Sequence, residues 1–164
     1  MDKKIKIISL TKGKLKEKFE EFIEIDRLQM EGFEKWQRKN FFLELPLKFQ
    51  LSCLAENKDQ VVGYNIVSRK NNLSHIHRIV VHPDFTGQGI GSKMLKFSQI
   101  KAQERALKKM VVETSRKKNL QKFYLKNNFK KMTNFEQKKY VQNKPVSLQK
   151  IFLKKYFVFY KYFK

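Results

Sequence analysis

Apolar and charged residues alternate over positions 4–10, the period-two pattern of a half-exposed strand, which predicts an edge strand there. The period then lengthens: Leu15, Phe19, Phe22, Ile23 and Ile25 recur at mostly helical spacing, with Glu17, Glu20, Glu21 and Glu24 on or near the other side, as in an amphipathic helix. A second short helix or a loop is expected over 32–40, around Trp36 and ahead of Pro46. Residues 49–56 and 61–68 are β-like runs parted by Asn57-Lys58-Asp59-Gln60, a polar cluster suited to an antiparallel hairpin. Asn71-Asn72 marks the next turn, and 74–82 completes a three-stranded meander. Residues 91–107 predict a helix with Met94, Leu95, Ser98, Ala102 and Ala106 inward. A short buried strand follows at 110–112, then a helix over 119–127 that ends at Asn128, a residue able to take the left-handed closing conformation. Two runs, 129–142 and 146–153, joined across Asn143-Lys144-Pro145, read as a terminal pair of strands. The aromatic tail YFVFYKYFK extends the last strand, covers a sheet edge or offers a self-association patch, so a homodimer is among the expected states. With no internal repeat or long linker, residues 1–164 are expected to form one domain.

Charge is distributed unevenly along this framework. Residues 1–82 carry 16 basic and 11 acidic side chains, whereas 83–164 carry 21 and 4. Such a basic half attracts anionic ligands and is compatible with nucleic acid or a ribosome as partner. Only six of the 37 basic residues are Arg, the residue that bidentate phosphate and base contacts favour, which suits a lysine-solvated surface better. No apolar run reaches the roughly 20 residues of a membrane span, and the opening MDKKIKIISL lacks the apolar region and cleavage site of a signal peptide. A cytoplasmic setting is expected. The single cysteine, Cys53, lies in the apolar segment FQLSCLA and is expected in the core.

The chemistry concentrates in residues 79–92, IVVHPDFTGQGIGS, where three glycines separate a β run from a helix start. Glycines at that junction let backbone amides approach a phosphate, and the following helix points its positive end at the same spot. A nucleoside-triphosphate loop would need Gly-Lys-Ser or Gly-Lys-Thr, but the chain has Gly91-Ser92-Lys93. A dinucleotide fingerprint would need G-x-G-x-x-G at the head of a βαβ unit, whereas Gly87, Gly89 and Gly91 are each two apart and follow a meander.

What remains is R/Q-x-x-G-x-G/A, falling on Thr86-Gly87-Gln88-Gly89-Ile90-Gly91. With Val81-His82-Pro83 before it and Phe123, Tyr124 and Phe129 downstream, the stretch 73–129 resembles the GNAT superfamily of acetyl-CoA-dependent N-acetyltransferases. Thr86 stands where that pattern has Arg or Gln, removing one side-chain contact while leaving the backbone cradle intact. The resemblance implies an α/β fold of the α+β type. Its mixed, mostly antiparallel central sheet would have six to seven strands flanked by about four helices.

The resemblance further implies that the strand before the glycines splays from its neighbour, so that backbone groups of Ile79, Val80 and Val81 pair with the pantetheine arm. The amides of Gly87, Gln88, Gly89, Ile90, Gly91 and Ser92 would hold the pyrophosphate, with the Ile90 side chain plugging the core. Lys93, Arg116, Lys117 and Lys118 are candidates for the 3′-phosphate. Tyr124 matches the family tyrosine beside the sulfur, and a phenol of ordinary pKa near 10 is protonated at neutral pH and can donate to a thiolate. The Asn found in many members seven residues earlier is Lys117 here, with Asn119 the nearest Asn.

Candidates for the base are Glu113, His75 and His77, the two histidines being placed by alternation on one face with Ile79. Three histidines without a carboxylate or thiolate partner do not make a closed metal site, so no metal is expected. Glu17, Glu20, Glu21, Glu24, Asp26, Glu31 and Glu34 offer a negative wall for a cationic amine, or a solvated helix face. The chain is thus expected to be a transferase, an acyltransferase acting on a peptide N-terminus, a lysine or a small amine by direct attack in a ternary complex. The alternatives are an enzyme directed at RNA or the ribosome, with an aminoacyl-tRNA or ribosomal-protein acceptor, and a non-catalytic acyl-CoA-binding module.

Overall fold

All but one of the strand pairs among the described residues are antiparallel, and the exception positions the site. The computed structural model describes residues 5–29 and 35–163; Lys4, Glu31, Gly32 and Glu34, which figured above, lie outside them. In chain order the elements are β1 (Lys6–Ser9), α1 (Lys12–Glu17), α2 (Phe19–Gln29), α3 (Arg38–Phe42), α4 (Lys48–Leu51), β2 (Cys53–Asn57), β3 (Gln60–Lys70) and β4 (Leu73–Val81). After a 3-10 turn (Pro83–Phe85) come α5 (Ile90–Gln103), β5 (Lys109–Ser115), α6 (Lys118–Lys126), β6 (Lys130–Lys131), α7 (Asn134–Val141), α8 (Val146–Lys155) and β7 (Tyr156–Tyr162). The seven-stranded sheet runs β1-β2-β3-β4-β5-β7-β6. Only β4 and β5 are parallel, pairing over Ser74–Ile76 and Met110–Val112.

The expected α+β sheet is present; among the described residues it has seven strands, and eight helical segments stand where about four were expected. The meander follows its turn residues: Lys58 (φ 49°) and Asp59 (φ 63°) close β2 on β3, and Asn71 (φ 56°) closes β3 on β4. Three shorter stretches differ from the sequence reading, and one longer one. The first amphipathic helix is two, broken at Lys18 (φ −101°, ψ 16°). Phe49–Leu51 of the first β-like run belong to α4, because a short apolar run fits a buried helical turn as well as a strand. Ala106 lies beyond α5, exposed and at φ 55°, instead of on its inner face.

The largest correction is at the C-terminal end. Residues 129–142 and 146–153 are not a pair of strands; they hold β6, α7 and most of α8, and the terminal strand is the aromatic tail itself. Thr133 starts α7 with a reciprocal cap: its Oγ1 accepts from the Glu136 N–H at 3.2 Å, and the Glu136 carboxylate accepts from the Thr133 N–H at 2.7 Å. β7 lies inside the sheet between β5 and β6, with Phe157, Val158 and Phe159 buried.

Register divides the core into two layers. Tyr64, Ile66 and Val80 meet Phe22, Ile25 and Phe41 of α2 and α3, while Val111 and Val158 on the same sheet face meet Val141 and Phe152 of α7 and α8. On the opposite face Val67, Ile76, Val112 and Phe159 pack on Leu95 and Tyr124 of α5 and α6. Cys53 sits in this second layer, fully buried, its thiol pushed up to about 12 by that burial.

Candidate active site

β4 leaves β5 after Ile76, and the gap opens into a cleft of about 620 Å³ that reaches both faces of the sheet. On the α5/α6 face it is lined by the glycine loop, Phe123 and Tyr124; on the α2/α3 face by Gln29, Trp36, His77, Arg78 and Glu113. His82 N–H donates to the Val62 carbonyl at 2.8 Å, and antiparallel alternation then turns the Val80 backbone groups toward β3 as well. Ile79 and Val81 therefore present their amides and carbonyls to the cleft, so two of the three expected strand residues are available there and Val80 is not. Gly63 makes the β3 side of this strand close-packed, since a Cβ on it would lie 2.9 Å from the Val80 carbonyl oxygen.

Gly87 (φ 76°) and Gly89 (φ 75°) adopt the left-handed conformation, and a Cβ at either would meet nothing within 4 Å. Their glycine identity thus serves backbone conformation and leaves open space over the loop. Gly89 caps α5, so the first-turn amides of Ile90, Gly91 and Ser92 lack intrahelical acceptors and carry the helix's positive end. Ile90 is buried against Ala55, Val62 and Met94, the core plug expected of it. Gly91 serves packing: a Cβ there would lie 3.1 Å from the Phe123 ring. Thr86 lines the cleft while its Oγ1 donates to the Pro83 carbonyl at 2.8 Å. Gln88 turns out of the cleft, its Nε2 donating to the Asp84 carbonyl at 3.4 Å. This cradle, the free strand edge and the adjoining cleft fit a pantetheine-pyrophosphate ligand.

Tyr124 is buried among Phe123, Phe129 and Phe159 and borders the cleft; burial raises its phenol above the ordinary tyrosine value, so it stays a proton donor. Asn119 and Lys117 border the cleft too. Arg116 does not: its guanidinium lies 4.0 Å over the Phe157 ring and donates to the Leu153 carbonyl. Neither Lys93 nor Lys118 lines the cleft.

A β-bulge separates the histidines from Ile79. Ile66 pairs with Arg78 but Val67 with Ile76, so His77 is the extra residue. His75 and His77 keep one face, with ring centroids 4.7 Å apart, and Ile79 is displaced to the other, correcting the three-residue alternation. His77 Nε2 lies 2.7 Å from Ser68 Oγ. Although the residue is exposed, desolvation of its ring and the neighbouring His75 draw it down to about 4, so it is neutral at physiological pH. His75 lies behind it, 3.8 Å from Glu113, outside the cleft lining.

Glu113 lies within β5 and not after it. Its Oε1 accepts from Tyr140 O–H at 2.7 Å and Lys144 Nζ at 2.9 Å. Burial alone would raise this carboxyl, but hydrogen bonds from Lys144 and Tyr140, with His75 3.8 Å away, bring it down to about 2. So weakly basic an oxygen, already engaged, holds its neighbours in place better than it removes protons.

Sequence reasoning missed the partners of Asp26. Asp26 is fully buried; it accepts from Tyr64 O–H at 2.7 Å and Trp36 N–H at 2.8 Å, and Arg78 Nε lies 3.0 Å from it. The available signal was position: it interrupts the apolar face made by Phe22, Ile23 and Ile25. Of the two readings of the acidic run, the described residues give the solvated helix face rather than a negative wall. Glu17, Glu20 and Glu24 are exposed, Glu21 accepts from Val61 N–H at 2.6 Å, and Asp26 is consumed by Arg78.

Comparison with known proteins places this geometry. The family model described as an acetyltransferase (GNAT) domain matches residues 49–131. Among solved structures, the chain is similar to the ribosomal-protein-S18-alanine N-acetyltransferase from Escherichia coli (TM-score 0.72, 15% identity, covering 96% of this chain and 93% of that one). It is similar also to an acetyltransferase of GNAT family from Staphylococcus aureus Mu50 (0.72, 22%, 98% and 99%). The PaiA N-acetyltransferase from Thermoplasma acidophilum, solved in complex with coenzyme A, gives 0.66 at 17% identity over 99% and 100%. No curated protein matches the sequence.

Proposed function

The chain belongs to the GNAT acetyltransferase family, and from that membership we propose that it moves an acetyl group from acetyl-CoA to a primary amine by direct attack in a ternary complex. The observation that carries this reading is the splay of β4 from β5, which exposes the Ile79 and Val81 backbone in one cleft with the left-handed glycines and Tyr124. Gly87, Gly89, Gly91 and Ser92 would hold the pyrophosphate on the α5 amides, and Asn119 and Lys117 border the same mouth. Acetyl-CoA supplies the activated acyl carbon. The Val81 N–H is suited to polarise the thioester oxygen.

Metal-ligating clusters are not found among the described residues, and the roles assigned here need none. As the C–N bond forms and the C–S bond breaks, the nitrogen becomes far more acidic than an ordinary ammonium. Neutral His77 then suffices to take its proton, while Tyr124 O–H donates to the departing sulfur. His75 and Glu113 act behind His77 as positioning residues.

The test is free-thiol release from acetyl-CoA with a panel of peptide and small amines. Release that needs both the amine and Tyr124 supports the reading; a panel with no release in any member, despite bound acetyl-CoA, overturns it in favour of a non-catalytic acyl-CoA-binding role.

A further inference from the structure

Behind the acceptor end of the cleft lies a second hollow, of about 410 Å³, lined by Phe19, Glu20, Ile23, Arg27, Lys35, Trp36, Gln37 and Arg38. Trp36 borders both spaces, so its side chain is a shared wall between hollow and cleft. Among the described residues, three cations, Arg27, Lys35 and Arg38, line the hollow with one carboxylate, Glu20. Arg38 is held in place, its guanidinium 4.8 Å over the Phe19 ring and 4.6 Å over the Phe42 ring. No carboxylate among the described residues forms an ion pair with Arg27, Lys35 or Arg38. Nearby, the buried Asp26 is committed to Arg78, Tyr64 and Trp36. Among the described residues that line this hollow, positive groups therefore outnumber negative ones.

We propose that this hollow is an acceptor subsite for a carboxylate: the molecule whose amine enters the cleft carries an acidic group that Arg27, Lys35 and Arg38 receive on the far side of Trp36. The inference rests on the acetyl-transfer reading for the identity of the molecule, and on the hollow alone for the identity of the charge. A planar guanidinium already stacked on two rings matches a carboxylate at low ordering cost. Positive groups at this mouth also disfavour the protonated form of the incoming amine, which raises the share of the nucleophilic form.

Trp36 is the one tryptophan of the sequence, so its emission reads the hollow without any turnover. The wild-type chain is titrated with three peptides matched in length and N-terminal residue, carrying two Glu, two Gln or two Lys at the following positions. The Glu peptide should reach its midpoint at a concentration about five- to tenfold lower than the Gln peptide, the range of a partly exposed charged hydrogen bond, and the Lys peptide should bind most weakly. The double variant Arg27→Gln/Lys35→Gln should bring the Glu and Gln midpoints together, as should high salt. Equal midpoints in the wild type, or a Glu preference that survives both the double variant and high salt, would overturn the subsite. Thiol release measured in the same mixtures reports on acetyl transfer separately: its absence alongside a Glu-selective Trp36 response would remove the enzymatic reading and leave the carboxylate site standing.

Discussion

Asp26→Asn should be the most damaging conservative change in the amino-terminal layer. The carboxylate is fully buried, and its two oxygens serve Tyr64 O–H at 2.7 Å, Trp36 N–H at 2.8 Å and Arg78 Nε at 3.0 Å. An amide presents one oxygen and one donor group to three donors, so at least one donor faces another, and the guanidinium loses this counter-charge in a place where its side chain is only 11% exposed. Removing one partner of a buried pair costs about 3–5 kcal/mol. At about 2–4 °C per kcal/mol for a chain of this length, the melting temperature should fall by roughly 6–20 °C. Urea unfolding followed by Trp36 emission and by far-ultraviolet circular dichroism measures the loss, and the two probes should give coincident transitions. Combining Asp26→Asn with Arg78→Gln should recover part of it, with a coupling of about 2 kcal/mol. A loss below about 1 kcal/mol, or strict additivity of the two changes, would refute the claim that this buried pair ties α2 to β4.

Other outcomes follow from the same geometry. The folded Glu113 pKa, about 2, lies below its unfolded value, so its contribution is fully present above about pH 4.5 and is lost as pH falls through 2. The shift corresponds to about 3 kcal/mol, and Glu113→Gln should flatten the fall in urea stability between pH 5 and 2.5 by up to that amount; parallel curves would contradict it. Tyr124→Phe should lower kcat by about 100-fold or more with little change in KM for acetyl-CoA, and a loss under threefold would remove the phenol from the proton inventory. Gly63→Ala places a methyl 2.9 Å from the Val80 carbonyl oxygen and 3.2 Å from Met94 Cε. It should cost about 1–3 kcal/mol in a thermal melt, and a neutral result would mean that β3 and β4 separate more easily than their register implies.

Local signals account for the parts of the fold that were legible. Polar turn residues placed the meander, the three glycines placed the head of α5, and Asn128, observed at φ 62°, marked the end of α6. The bulge at His77 has no such signal, because it arises from how β4 pairs with β3, and a one-residue slip is enough to send Ile79 to the other face. The C-terminal helices were legible but misread: Thr133-x-x-Glu136 is a helix start, and Pro145 precedes another, yet the apolar residues between them repeat too irregularly to declare a period. That error hid Tyr140 and Lys144, which reach Glu113 only because α7 and the turn after it pack over β5. Asp26 was visible as a carboxylate on an apolar helix face, but its partner Arg78 is 52 positions away and only the sheet brings the two together.

The central claim is that the glycine turn at the head of α5 holds the diphosphate of an acyl carrier. Isothermal calorimetry of acetyl-CoA into the wild-type chain and into Gly89→Val tests it, since a β-branched residue is strained at the observed φ of 75° and would intrude on the cradle. The wild type should show saturable binding at one site, and the folded variant should bind about tenfold more weakly or worse. Absence of binding heat at every temperature tried with the wild type, or equal affinity in a Gly89→Val chain that retains its native circular dichroism, would contradict the account.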